Sequence, residues 1–185
     1  MRSNRPRVRK ESPYKATLTT IRAMEVLAKQ DQAEDAVREL AAEAWHRAGG
    51  TRAPDAVKVA WVERLIMQRV EFMPDPTNVE YLQAPVELLT ARWPVGDCDD
   101  TSTLSASCLC AMGMEPAYAR VAWHLAYADP YGHVLTTVPI RHDGRLIRAV
   151  IDCTWPGDIS TLLARAVKVE LQDPVTRPEV PAWTW

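Results

Sequence analysis

Three residues whose side chains can together activate a thiol occur in the order Cys98, His133, Asp152. A cysteine attacks as a thiolate, and an unassisted thiol is only a few per cent ionised near neutral pH. A histidine can take the thiol proton, while a carboxylate on the far imidazole nitrogen fixes the tautomer and stabilises the imidazolium. These residue types therefore predict nucleophilic attack on a carbonyl, provided that the fold brings the three side chains together.

Cys98 lies in the segment Val95 to Thr101, directly before an apolar-rich, helix-compatible run from Leu104 to Met112. A helix that begins near Cys98 places the thiol in its first turn. Unpaired N–H groups and the positive end of the helix dipole stabilise a thiolate there. Acidic neighbours oppose this effect, because nearby negative charge disfavours a thiolate, unless they stabilise the helix start instead. Three such residues flank the thiol: Asp97, Asp99 and Asp100.

The histidine and the aspartate flank a predicted β-hairpin. His133 to Ile140 is rich in β-branched residues, which favour a strand, and Leu146 to Asp152 suits the next strand. His142-Asp143-Gly144 lies between them and is a strong hairpin-turn signal. Because His133 and Asp152 are almost equally distant from Asp143, pairing of the strands should bring them close together.

The remaining elements must position this hairpin and the Cys98 helix. Apolar periodicity predicts several helices before Cys98 and one more near the end of the chain, with another strand before the hairpin. Helices followed by an antiparallel sheet predict an α+β fold. The predicted helices span Thr17–Lys29, Ala33–Ala48, Thr51–Phe72, Val86–Leu89 and Asp158–Leu171, and the additional strand spans Ala117–His124.

A chain of 185 residues is long enough for one domain with a sizeable core. We expect a basic flexible tail over residues 1–14 and a helical extension over 15–50, forming either a hairpin or an interaction arm. The main domain is predicted at 51–172, with a Pro- and Trp-rich tail at 173–185. The basic tail could instead dock on an acidic partner, and contact with nucleic acid is a weaker alternative.

Composition excludes several classes of protein. A net charge of −2 gives no global signal for nucleic acid or a membrane surface. No long apolar stretch follows the basic N-terminal residues, so we expect neither a signal peptide nor a membrane anchor. The 4 cysteines are few for the length, which favours reduced thiols in a cytosolic compartment. Without a C-x-x-C pair or paired histidines, no metal site is predicted.

The stretch from Asp55 to Gly157 resembles the transglutaminase-like branch of the papain-like cysteine enzymes. More narrowly, it is similar to small transglutaminase-like proteins encoded by phages and prophages. The resemblance covers a little over half of the chain. The matching features are Phe72-Met73-Pro74-Asp75 at a helix end, Glu80 to Pro85, Gly96 to Asp100, a Cys-bearing helix ending at Gly113, His133 at a strand start and Ile151-Asp152 at a strand end.

The resemblance implies a Cys-bearing central helix packed on a small antiparallel sheet. It also implies a triad in which Cys98 is the nucleophile, His133 the general base and then acid, and Asp152 the group that orients the imidazole. The implied reaction is acyl transfer at an amide of a protein or peptide through a thioester. Hydrolysis and transamidation stay open, and no cofactor is expected.

Other residues have subsidiary roles in this hypothesis. The oxyanion hole would include the backbone N–H of Cys98, with Gln83 as a candidate side-chain donor. Trp155 could shield the triad from water or only pack beside it. His124 is a rival base, although it lacks a paired carboxylate.

Two other functions fit parts of the sequence. The run Asp97-Cys98-Asp99-Asp100-Thr101 also fits the D-x-D-x-T pattern of haloacid-dehalogenase-type phosphatases, but no buried hydrophobic strand precedes it. The second alternative is a catalytically inactive component of a phage virion, with the N-terminal helices and C-terminal tail as contacts to other phage proteins. The implied location is then the bacterial host cytoplasm or the virion.

Overall fold

The computed structural model describes residues 7–8, 13–76, 80–122, 131–154, 166 and 168–174. Within these residues, α-helices come first and an antiparallel sheet follows, so the fold is α+β as predicted. The helices are α1 (Pro13–Asp31), α2 (Asp35–Ala48), α3 (Asp55–Arg69), α4 (Pro85–Thr90) and α5 (Cys98–Ala111). The strands are β1 (Arg7–Val8), β2 (Glu71–Phe72), β3 (Glu80–Tyr81), β4 (Val95–Gly96), β5 (Ala117–Ala122), β6 (Tyr131–His142), β7 (Arg145–Ile151) and β8 (Lys168–Pro174).

Helix α5 occupies the centre of the molecule, and every residue from Asp99 to Cys110 is buried. Its side chains are mostly small or hydroxyl-bearing, which lets neighbouring elements approach its backbone closely. Two of the hydroxyls find acceptors within the helix itself. Thr103 Oγ1 donates to Asp99 O at 2.6 Å and Ser105 Oγ donates to Thr101 O at 2.8 Å. A polar sequence can therefore form a fully buried helix without leaving these groups unsatisfied.

The N-terminal helices belong to the same core as α5. On one side, Leu40 of α2 and Val62 of α3 pack with Leu104 of α5. On another side, Met24 of α1 packs with Tyr118 of β5. Helices α1 and α2, which form most of the expected extension over residues 15–50, therefore pack into the core, and their role in contacts with other proteins stays a prediction.

A four-stranded antiparallel sheet, in the order β7-β6-β5-β8, covers α5. The predicted hairpin is confirmed, with His142 opposite Arg145 at the turn. Asp143 and Gly144 have φ values of 49° and 75°. Two consecutive positive φ angles are typical of a type I′ turn, which matches the right-handed twist of the flanking strands.

Two predicted boundaries within the first 72 residues were wrong. Helix α1 begins at Pro13 rather than Thr17, and proline suits the first helical position because it has no N–H to leave unpaired. The predicted tail also contains β1, which pairs with β3.

The third predicted helix is divided into a 3₁₀ turn at Gly50–Arg52, helix α3, and strand β2, which pairs in parallel with β4.

The predicted final helix, Asp158–Leu171, was wrong over residues 168–171, which lie in β8. Most of that range lies outside the described residues. Val169 and Leu171 alternate with polar residues, a period-2 signal for a strand. The open edge of β5 offers backbone partners for this segment, and that pairing overrides local helix preference. Apart from the start at residues 173–174, the predicted C-terminal tail also lies outside the described residues.

No helix among the described residues combines the length and the apolar composition needed to span a membrane.

An ion pair between β5 and β8 gives a first prediction. The Arg120 side chain is 0% exposed, and its Nη2 donates to Glu170 Oε1 at 2.6 Å. Glu170→Gln removes one negative charge that faces this buried guanidinium, so we expect a loss of about 2 kcal/mol in the free energy of unfolding. Urea denaturation measures the free energy of unfolding, and the control is Glu71→Gln, a change at an exposed glutamate of β2. Equal stability of the two variants would contradict the structural role of the pair.

Candidate active site

Cys98 is the first residue of α5, as predicted. The preceding residue, Asp97, is the N-cap, and its Oδ1 accepts the backbone N–H of Asp99 at 3.2 Å. The backbone oxygen of Asp97 accepts both the N–H and the hydroxyl of Thr101, at 3.1 and 2.8 Å. The half-buried thiol of Cys98 therefore lies in the first helical turn, at the positive end of the dipole.

Gly96 is required by a close approach of the Asp100 carboxyl group. A Cβ added at Gly96 would lie 2.8 Å from Asp100 Cβ and 2.9 Å from Asp100 Oδ2, which no side chain tolerates. Asp100 in turn binds the segment before α4. Its Oδ1 accepts the Gln83 backbone N–H at 2.6 Å, and its Oδ2 accepts Gln83 Nε2 at 2.9 Å. These bonds fix β4 against the start of α5, directly ahead of the thiol.

The protonation state of Asp100 bears on how strongly the acidic neighbours of Cys98 disfavour a thiolate. Burial raises the pKa of this carboxyl group to about 7, although the Gln83 bonds act in the opposite direction. Asp100 is therefore partly neutral near pH 7, and the cluster carries less negative charge than three ionised aspartates. Less like charge beside Cys98 means weaker opposition to a thiolate.

Gln83 uses both of its amide hydrogens within the protein. Besides Asp100, Nε2 donates to Val95 O at 2.7 Å. Donation to an oxyanion would require one of these bonds to break, so the proposed oxyanion role of Gln83 stays a prediction. The contacts instead show Gln83 connecting β4 to α5. Trp155 and the rival base His124 both lie outside the described residues.

His133 and Asp152 are in direct contact. His133 Nε2 lies 2.6 Å from Asp152 Oδ2, and the two side chains are 12% and 3% exposed. Asp152 is one residue past the last β6–β7 pair, Thr136–Ile151, so the side chains meet beyond the end of the ladder rather than directly across it. The other carboxylate oxygen of Asp152 accepts both the N–H and the hydroxyl of Thr154, at 3.1 and 2.8 Å.

The environment of Asp152 favours its charged form. Burial alone would raise the pKa of this carboxyl group. The hydrogen bond and charge of His133, together with the two bonds from Thr154, outweigh burial and lower it overall. An ionised Asp152 can hold the imidazole in one tautomer and stabilise its protonated form.

A β-bulge lies beside His133. Val121 of β5 pairs with His133, whereas the next residue, Ala122, pairs with Tyr131, so Gly132 has no opposite residue. Bulges of this kind re-aim side chains and are frequent next to active sites.

Contacts between α5 and β6 bring the thiol end of the helix to the histidine end of the strand. Ser102, one helical turn after Cys98, donates to Val134 O at 3.3 Å, and its own carbonyl accepts the Thr136 hydroxyl at 2.9 Å. Cys98 and Val134 also pack in the same apolar cluster. The first residue of α5 therefore lies at the same end of the molecule as His133.

One polar group beside this site was missed by sequence reasoning. The Glu63 side chain extends from α3, and its Oε1 accepts the backbone N–H of Asp152 at 3.1 Å. No local signal could have found it, because Glu63 lies in the middle of an amphipathic helix 89 positions from its partner. The contact depends on how α3 packs against the hairpin.

Among the described residues, three carboxylates come within 4.8 Å of one another: Asp97, Asp99 and Asp100. Asp97 and Asp100 already accept protein N–H groups, as expected for carboxylates that stabilise a helix start. The phosphatase alternative finds no support in the surroundings of this cluster. The strand before it, β4, has two residues, and the main sheet is antiparallel rather than built of β-α repeats.

The chain is similar in fold to two solved structures of bacterial proteins. One is a proposed protease from Parabacteroides distasonis, with 15% identity and a TM-score of 0.48 over 70% of this chain. The other is a proposed cysteine protease from Cytophaga hutchinsonii, with 16% identity and a TM-score of 0.46 over 80% of this chain. No protein-family profile and no curated protein matches the sequence.

This chain spans 26% of the length of the first protein and 55% of the second. At this identity and TM-score, neither likeness specifies the chemistry of this chain. Its own contacts must provide the evidence for a function.

The contact between Gly96 and Asp100 gives a second prediction. Gly96→Ala should lower the free energy of unfolding by about 2 kcal/mol, because the new methyl group displaces the Asp100 carboxyl group. Asp100→Gly removes both the Cβ and the carboxyl group that would obstruct the new methyl group. The same Gly96→Ala change should therefore cost little in that background, and a double-mutant cycle by urea denaturation measures the difference. Equal costs in both backgrounds would show that Gly96 is required for another reason.

Proposed function

We propose that this protein is a cysteine enzyme that transfers the acyl group of a protein or peptide amide through a thioester on Cys98. The supporting observation is the His133–Asp152 contact of 2.6 Å, at the end of the molecule where α5 begins with Cys98. A thiol, an imidazole and an ionised carboxylate in this order form a catalytic triad.

In the first step, His133 removes the proton from the Cys98 thiol. Because Asp152 engages Nε2, the exchange of this proton is assigned to Nδ1. The resulting imidazolium is stabilised by the Asp152 carboxylate, and the thiolate is stabilised by the helix N-terminus.

The thiolate then attacks the amide carbonyl and forms a carbon–sulfur bond, and the electron pair moves to the carbonyl oxygen. The backbone N–H of Cys98 is our candidate donor to this oxyanion. When the tetrahedral intermediate collapses, the carbon–nitrogen bond breaks and His133 gives its proton to the leaving amine. A thioester on Cys98 remains.

The second nucleophile decides the overall reaction. Water would release a carboxylic acid, and an amine would form a new amide; in both cases His133 takes a proton from the incoming nucleophile. Both outcomes belong to the proposal, because they share the acyl-enzyme. The alternative of an inactive virion component, with the basic tail, the N-terminal helices and the C-terminal tail as contact surfaces, stays a prediction.

Thiol alkylation gives a third prediction. Cys98 should react with iodoacetamide at pH 7 about tenfold faster than a free cysteine peptide, because the triad raises the thiolate fraction. His133→Ala should abolish this advantage. The matched control is His142→Ala, which removes an exposed histidine from the same strand. Peptide mass spectrometry measures labelling at each cysteine.

The other thiols are internal references in the same experiment. Burial raises the pKa of Cys108 and of Cys110 to about 12, and it raises that of Cys153 as well, so these thiols should label slowly. Labelling of Cys98 no faster than the free peptide would contradict the proposal. So would an unchanged rate in His133→Ala.

A further inference from the structure

The backbone that carries Asp152 is held by a carboxylate from a different element. Glu63, in the middle of α3, accepts the Asp152 N–H through Oε1 at 3.1 Å. Asp152 lies one residue beyond the last pair of the β6–β7 ladder, Thr136–Ile151. A buried N–H without an acceptor would be costly, and Glu63 provides that acceptor.

The next residue is held by the same helix. Cys153 Sγ lies 3.9 Å from the backbone oxygen of Glu63 and 3.5 Å from Ser105 Oγ of α5. Two consecutive residues after β7 are therefore attached to α3, and the second also reaches the helix that begins with Cys98. These contacts fix the direction in which the chain leaves the strand.

Three polar groups of Asp152 have a defined partner. Its N–H is bound by Glu63, its Oδ1 by Thr154 and its Oδ2 by His133. The Glu63 contact acts on the Asp152 backbone, so it fixes the position from which the carboxylate side chain extends. The Thr154 and His133 contacts then set where the two oxygens point.

Glu63 faces Asp152 from α3, His133 faces it from β6, and Cys153 follows it in the chain. Burial raises the pKa of Glu63, and the Asp152 N–H bond opposes this effect. Burial also keeps the Cys153 thiol neutral.

We propose that Glu63 is a positioning residue, which holds the Asp152 backbone so that the carboxylate engages His133 Nε2. The effect of Glu63 on catalysis rests on the proposed function, but the positioning of Asp152 by Glu63 does not. A change at Glu63 should alter the His133–Asp152 hydrogen bond even if Cys98 never forms a thioester.

Two variants separate the acceptor from the bulk of the side chain. Glu63→Gln keeps an acceptor oxygen at nearly the same place, and Glu63→Met keeps the volume without any acceptor. The control is Glu39→Ala, an exposed glutamate of α2. The direct readout is the downfield ¹H NMR signal of the His133–Asp152 hydrogen bond, assigned by its loss in Asp152→Ala.

We expect Glu63→Met to lose this signal and to slow alkylation of Cys98 about tenfold, because small displacements of catalytic groups are costly. Glu63→Gln and Glu39→Ala should keep both properties. The inference is overturned if Glu63→Met retains the signal, or if folded Glu63→Gln loses it. An unreactive Cys98 in the wild-type protein, with the NMR pattern as expected, would instead contradict the proposed function and leave the inference standing.

Discussion

The start of α5 depends on one buried carboxyl group. Asp100 accepts two hydrogen bonds from Gln83 while its carboxyl group lies against Gly96, where no side chain fits. Together with the Asp97 cap, these contacts fix where the helix begins and therefore where Cys98 lies. The acidic residues beside the thiol thus have a structural role, and partial neutrality of Asp100 reduces the electrostatic cost of placing them there.

The composition of α5 extends this constraint to the rest of the fold. Short side chains allow helices on two sides and strand β6 on a third to pack closely against it. The hydroxyls of Thr103 and Ser105 bond within the helix. Close packing is what permits Ser102 to reach the backbone of β6 near His133. The contacts that join the start of α5 to β6 therefore lie in the core of the molecule.

Local signals in the sequence were sufficient for part of this site. The Asp97 cap and the Asp-Gly turn are short-range features, so the helix start at Cys98 and the His133–Asp152 hairpin could be predicted. The Gln83–Asp100 bonds join residues 17 positions apart, and the Glu63 contact depends on the packing of α3. Strand β8 was missed because its conformation depends on pairing with the edge of β5. The sequence of β8 alone does not show that this edge is open.

The central claim is that Cys98 carries an acyl group during the reaction. The most direct measurement treats the protein with an activated ester, p-nitrophenyl acetate, and locates the acetyl group by peptide mass spectrometry. The account predicts a hydroxylamine-labile acetyl group on Cys98 that is absent in His133→Ala. Acetylation that bypasses Cys98, or that is equally fast in His133→Ala, would contradict it.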